Sequence, residues 1–215
     1  MKRYTRILSL VMSVLMIAAL FCGCGRESKE IEALAGTWYM TKSGSESVAQ
    51  ALLENIDLYA EEIACVDLTT LESVKTVTFT TDKTYQFAYD PDGTRACART
   101  FFEGAFYAMY ENRGSLGQLY GVDFESASKE EFLQFYADIY GAADFPGLLD
   151  MIADNSFDFD AMAEPEEEGT YSMKNGVISM TLLDGSNAGS VNYSLQGDSL
   201  SLTYTNSVEV YSRSK

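Results

Sequence analysis

Carboxylates carry most of the chemistry in this 215-residue chain: 32 Asp and Glu stand against 15 Lys and Arg, and there is no histidine. Without histidine no Ser-His-Asp or Cys-His relay can form, and zinc loses its commonest nitrogen ligand. The chain also has no Gly-x-Ser-x-Gly elbow, no phosphate-cradling glycine loop with its lysine, and no dinucleotide fingerprint. A calcium loop is the nearest metal pattern. Asp154-Asn155-Ser156-Phe157-Asp158-Phe159-Asp160 sets oxygens at alternate positions, but an EF-hand needs Gly sixth and Glu twelfth, where this chain has Phe159 and Pro165. The EF-hand reading fails, an irregular oxygen cage is its residual alternative, and no metal ligand set is assigned. Between Glu130 and Glu168 lie 12 acids and no Lys or Arg. Such a run is either a surface for a cationic partner or a solvated face that keeps the protein soluble, and the second reading is favoured. Glycoside hydrolysis needs two carboxylates facing across a cleft, and nothing in the spacing selects a pair. No catalytic residue is assigned, no cofactor is expected, and the chain is read as a non-enzyme.

The cysteines carry a different chemistry. Lys2, Arg3 and Arg6 precede an apolar run from Ile7 to Phe21, 15 residues broken only by Ser9 and Ser13. That is short of the roughly 20 residues a spanning helix needs, and a basic start with a small-residue exit describes an export signal. Its end, Gly23-Cys24, resembles the lipobox of bacterial lipoproteins, with Phe21 where Leu is more usual. The resemblance implies a signal peptide over 1–23, lipidation at Cys24, and an extracytoplasmic protein anchored by its lipid to the outer face of the cell membrane. Cys22 follows the bulky Phe21 and fits less well. The polar run after Cys24, over 24–33, reads as a tether. Cys65 and Cys97 remain, either a disulfide in an oxidising compartment or two buried thiols.

The elements that must hold these groups emerge from periodicity. Leu34 to Met40, with Gly36-Thr37-Trp38, reads as a bend and a first strand. Val48, Leu52, Ile56, Tyr59 and Ile63 recur at helical spacing behind a capping box of Ser43 and Glu46. Val74–Thr80 and Thr84–Tyr89 alternate like a hairpin, and Asp90-Pro91-Asp92-Gly93 reads as a turn. Residues 100–163 switch to helical spacing. There a capping box opens at Ser128, Phe132, Phe135, Tyr136, Ile139 and Tyr140 share a face, and Pro146 stands in the first turn of a further helix. From Thr170 onward the chain is strand and turn, with Asn175-Gly176 the strongest hairpin signal.

Three stretches of the chain resemble the lipocalin, or calycin, group and the lipocalin-like domains of Gram-positive lipoproteins. Gly36-Thr37-Trp38 matches the Gly-x-Trp of the first strand. The C-terminal half, "GTYSMKNGVISMTL" and "YSLQGDSLSLTYTNSVEVYSR", keeps the rhythm of their strands to a final aromatic-x-Arg. The match covers residues 34–41, 74–89 and 168–213. It implies a single domain over 34–215: mainly β with helical insertions, a lipocalin-like antiparallel meander barrel interrupted by helices at about 45–66 and 100–163. It also implies that Trp38 packs beneath Arg213 at the closed end of the barrel, a structural pair rather than a catalytic one.

Such a barrel can hold a small apolar or amphipathic ligand, though no ligand-binding residue is assigned. The alternative is a non-catalytic interaction module of the cell envelope. The formal net charge of −17 becomes −20 without Lys2, Arg3 and Arg6. So acidic a domain argues against nucleic acid and leaves membrane attachment to the lipid.

Overall fold

The computed structural model describes residues 27–213; the signal segment and Cys24 lie outside the described residues. Helix α1 (27–34) opens the described chain. Eight strands come after it: β1 (Gly36–Ser43), β2 (Glu72–Phe79), β3 (Thr84–Tyr89), β4 (Glu167–Lys174), β5 (Val177–Leu182), β6 (Asn187–Gln196), β7 (Ser199–Thr203) and β8 (Val208–Ser212). They close, in chain order, into one antiparallel barrel. Two helical stretches interrupt it. Between β1 and β2 come α2 (Glu46–Asn55), α3 (Ala60–Ile63) and a 3-10 turn (Leu68–Thr70). Between β3 and β4 come α4 (Pro91–Glu111), α5 (Arg113–Tyr120), α6 (Lys129–Ile139), α7 (Phe145–Ser156) and α8 (Phe159–Ala163). Helix takes 44% of the described residues and strand 30%, so the inserts outweigh the frame they interrupt.

The chain divides into two compact units. One contains the described residues up to Trp38 with Val77–Phe87 and Glu167 onward; the other contains Tyr39–Thr76 and Ala88–Glu166. In the first, strand periodicity decides what is inside. Gly169, Tyr171 and Met173 of β4 are buried and their neighbours Glu168, Thr170, Ser172 and Lys174 exposed, because successive side chains leave opposite faces. Ile178, Met180, Val191, Leu200, Leu202 and Tyr211 continue the inward set. Asn175 and Gly176 both adopt positive φ, 53° and 78°, the backbone of a two-residue turn whose twist matches the strands it joins. Gly169 passes so close to β5 that an added Cβ would stand 2.0 Å from the Thr181 carbonyl oxygen.

In the second unit the capping box Ser128–Glu131 starts α6, and Asp144 with Pro146 starts α7, as the sequence indicates. Four local expectations are corrected. Asp90-Pro91 is a helix start rather than a turn: the Asp90 carboxylate accepts from the Gly93 N–H at 3.2 Å, and Pro91 occupies the position where a missing N–H costs nothing. The cap of α2 is Ser45, because β1 runs on through Ser43. Its buried face is Ala49, Leu52 and Leu53, while Val48 and Tyr59 are exposed, since the chain leaves the helix at Ile56 and Asp57 turns it with φ 59°. On α6, Ile139 is likewise exposed, and Phe132, Leu133, Tyr136 and Ala137 form the buried face.

Gly169→Ala is expected to destabilise by about 1–3 kcal/mol, since backbone must yield. Gly104→Ala, on an open face of α4 with nothing within 4 Å, is expected to stabilise by up to about 1 kcal/mol. Urea unfolding of the two variants checks the contrast.

Candidate functional site

Trp38 and Arg213 come together. The guanidinium carbon of Arg213 lies 4.2 Å from the centre of the Trp38 ring, and the indole is wholly buried. The indole N–H donates to the Leu34 carbonyl at 2.8 Å. Arg213 also donates to the Ala35 carbonyl at 3.1 Å and to the Ala33 carbonyl. Ala33 stands in the C-terminal turn of α1, whose carbonyls have no partner within the helix, and Ala35 follows that helix directly. The residues read as a tether therefore include a helix, and its Ile31 and Leu34 are buried. The helix is also held at its start, where Glu27 pairs with Lys83 at 2.8 Å and Glu30 accepts from the Tyr193 hydroxyl at 3.1 Å.

Two half-buried carboxylates take inward positions on the barrel strands. Glu167 accepts from the Tyr85 hydroxyl at 2.7 Å and Glu209 from the Tyr211 hydroxyl at 2.8 Å. Burial, then the charges of Glu209 and Glu167, push the Tyr204 hydroxyl well above the usual tyrosine range. Both carboxylates thus face tyrosines that stay protonated and donate to them.

The helical unit contains a recess of ligand size with a largely apolar lining, a pocket of about 430 Å³, within the roughly 300–1,000 Å³ of small-molecule sites. Val48, Leu71, Tyr89, Phe157 and Met162 supply its apolar lining, while Lys42, Ser45 and Glu72 stand among its polar residues. Its walls are set by local structure. The Gly44 N–H donates to the Leu71 carbonyl at 2.8 Å, and an added Cβ at Gly44 would stand 3.0 Å from the Leu71 side chain. The same link between β1 and α2 leaves Val48 facing outward, so the side chain that misses the core lines the pocket. Sequence periodicity placed Val48 on the buried face and so concealed this site.

Glu62 is the functional-looking residue that the sequence hides most completely. Its carboxylate is fully buried, yet accepts from the Tyr59 N–H at 2.7 Å, from the Tyr120 hydroxyl at 2.7 Å and from the Tyr136 hydroxyl. Three donors answer the cost of burying a charge. Burial and then Glu62 itself push the Tyr120 and Tyr136 hydroxyls far up, and burial first lifts Tyr140 to about 12. One acid among 32 has no sequence mark that distinguishes it. Its surroundings, Phe106, Phe124 and Phe135 packed edge to face against Tyr120 or Tyr136 and Phe132 tilted against Tyr136, are a core rather than a reaction chamber.

Cys65 and Cys97 are separate free thiols, both half-buried, so the disulfide alternative gives way to the buried-thiol one. The Cys65 sulfur turns back to the Glu61 carbonyl at 3.3 Å, and burial pushes both thiols up. The acidic run is largely engaged within the protein. Asp144, Asp158 and Glu131 cap helices; Asp150 pairs with Arg99, Asp154 with Arg95 and Glu166 with Lys75, at 2.7, 2.7 and 3.0 Å. Capping and pairing thus occupy Asp154 and Asp158, and no group of three metal-binding side chains occurs among the described residues. Compared with known proteins, the chain matches no family model, no curated protein and no solved structure.

Arg213→Ala is expected to shift Trp38 emission to the red and to lower stability by about 1–3 kcal/mol, from the lost stacking and charged hydrogen bonds. The tyrosines around Glu62 hold their protons more tightly folded than unfolded, where the value is about 10. Their contribution to stability is therefore complete below about pH 10 and is lost as pH rises through 12. A melting temperature level to about pH 9 and falling beyond about 10, less steeply in Tyr140→Phe, is the expected profile.

Proposed function

We propose that this chain is an extracytoplasmic lipoprotein, acylated at Cys24 and held to the outer face of the cell membrane, whose lipocalin-like domain binds a small apolar or amphipathic molecule. The carrying observation is the pocket of about 430 Å³ with aromatic and aliphatic walls and both charge signs among its polar residues. An apolar body suits Leu71, Tyr89, Phe157 and Met162, while a polar end suits Lys42, Ser45 and Glu72. The barrel interior supports the same placement. Its inward positions carry large side chains such as Trp38, Phe79, Tyr171 and Tyr211, all nearly or wholly buried, so the barrel reads as scaffold.

Anchoring rests on the Gly23-Cys24 pattern and the short apolar run before it. Among the described residues no helix is long and apolar enough to cross a membrane. Binding without catalysis is supported by the absence of histidine and by carboxylates that are capped, paired or hydrogen-bonded. The net charge of −17 supports a partner that is neither nucleic acid nor an anionic surface.

Native mass spectrometry of the chain from residue 26 onward, purified from its own envelope, should retain a small molecule. Val48→Trp, which fills the pocket from an exposed position, should weaken saturable binding of an anilinonaphthalene sulfonate reporter at least about tenfold. Its melting temperature should change little. An empty protein that also fails to saturate with the reporter would remove the binding reading.

A further inference from the structure

The plugged end of the barrel is where α1 meets the first and last strands, and Glu27, the first described residue of α1, stands three residues after Cys24. Three residues at full extension reach at most about 10–11 Å. The headgroup layer on each side of a bilayer is itself roughly 5–8 Å thick. An acyl-bearing cysteine at the base of that layer therefore leaves only a few ångströms between the headgroups and Glu27. Nor can α1 swing away to lengthen the reach. Glu27 is paired with Lys83, Glu30 accepts from Tyr193, Ile31 and Leu34 are buried, and Arg213 holds the last carbonyls.

From these lengths we infer that the plugged end of the barrel lies against the lipid headgroups, on a leash too short to let the domain tumble freely. This rests on acylation at Cys24. The surface brought to the membrane consists of the β2–β3 turn with Asp82 and Lys83, the β4–β5 turn at Asn175-Gly176 and the β6–β7 turn at Gly197. Between the start of α1 and the β4–β5 turn lies a cleft of about 420 Å³ with Glu27 and Glu30 on one side and Lys174 on the other. Its polarity and mixed charge suit headgroups rather than acyl chains. Attraction does not hold this face down, since a chain of net charge −17 is repelled by anionic lipid. The covalent leash does so, by keeping the face at a high effective concentration beside the bilayer.

The test uses the full chain, acylated in a bacterial envelope and reconstituted into phosphatidylcholine vesicles that contain a headgroup-nitroxide lipid. In a Cys65→Ser, Cys97→Ser background, bimane is attached at Asp82→Cys, in the turn expected at the membrane, or at Asn206→Cys, in the β7–β8 turn at the far end of the strands. Quenching at position 82 should exceed that at position 206 at least twofold, and Gln196→Cys, the exposed last residue of β6 beside the β6–β7 turn, should repeat the result. A Gly/Ser insert of about 12 residues after Arg26, with a span of about 20 Å, should abolish the difference. An acylated protein with equal quenching at positions 82 and 206 would overturn the orientation and leave the lipoprotein reading intact. A purified chain whose mass lacks the diacylglyceryl group would remove both.

Discussion

One contact joins the approach to β1 with the residue that follows β8: the Arg213 guanidinium, lying on the Trp38 indole and hydrogen-bonded to the Ala33 and Ala35 carbonyls. It does three things at once. It supplies donors to a carbonyl in the last turn of α1 and to one just beyond it, it places positive charge at the negative end of the helix dipole, and it covers the buried indole. The partners lie 178 and 180 residues apart. A closed barrel needs its first and last strands to meet, and that is its most entropically costly closure. The residues that join there combine charge, stacking and hydrogen bonding in one place because no local preference can help them.

The helical unit solves a different problem. It surrounds a buried carboxylate with aromatic rings and satisfies it with one backbone N–H and two hydroxyls. Glu62 thereby ties α3 to α5 and α6, elements that sequence proximity does not bring together. A core polar group with a full set of donors is costly to misplace, so it favours one packing over its neighbours. The acidity of the stretch from Glu130 to Glu168 becomes ordinary in this setting. Helix starts and the cations of α4 and β2 take up its members in turn. The same unit provides the ligand-sized recess, which moves the binding reading away from the barrel interior.

Legibility varied with the range of the interaction. Asn175-Gly176 was readable because only a few residue types accept two successive positive φ values. Ser128 with Glu131 was readable because a capping box completes itself within four residues. Asp90-Pro91 was ambiguous on its own terms: the same residues that favour a turn also start a helix, and the helical packing of the residues beyond Gly93 decides between them. The stripe from Val48 to Ile63 had helical spacing, but Asp57 broke the helix and rotated the buried face. The polarity of residues 27–33 concealed two buried side chains, Ile31 and the adjoining Leu34, because composition averages over faces.

The sequence by itself determined the alternation of strands with two helical inserts, the Asn175-Gly176 hairpin, the capping box at Ser128 and, through a resemblance, the pairing of Trp38 with Arg213. Those depend on windows of a few residues or on motifs whose order survives in the chain. The tertiary structure alone decided which acid was buried, which valine lined a pocket and which carbonyls Arg213 would bind. Each of these is a distance between side chains far apart in sequence. Such distances are set by how whole elements pack, and no local pattern of residues encodes them.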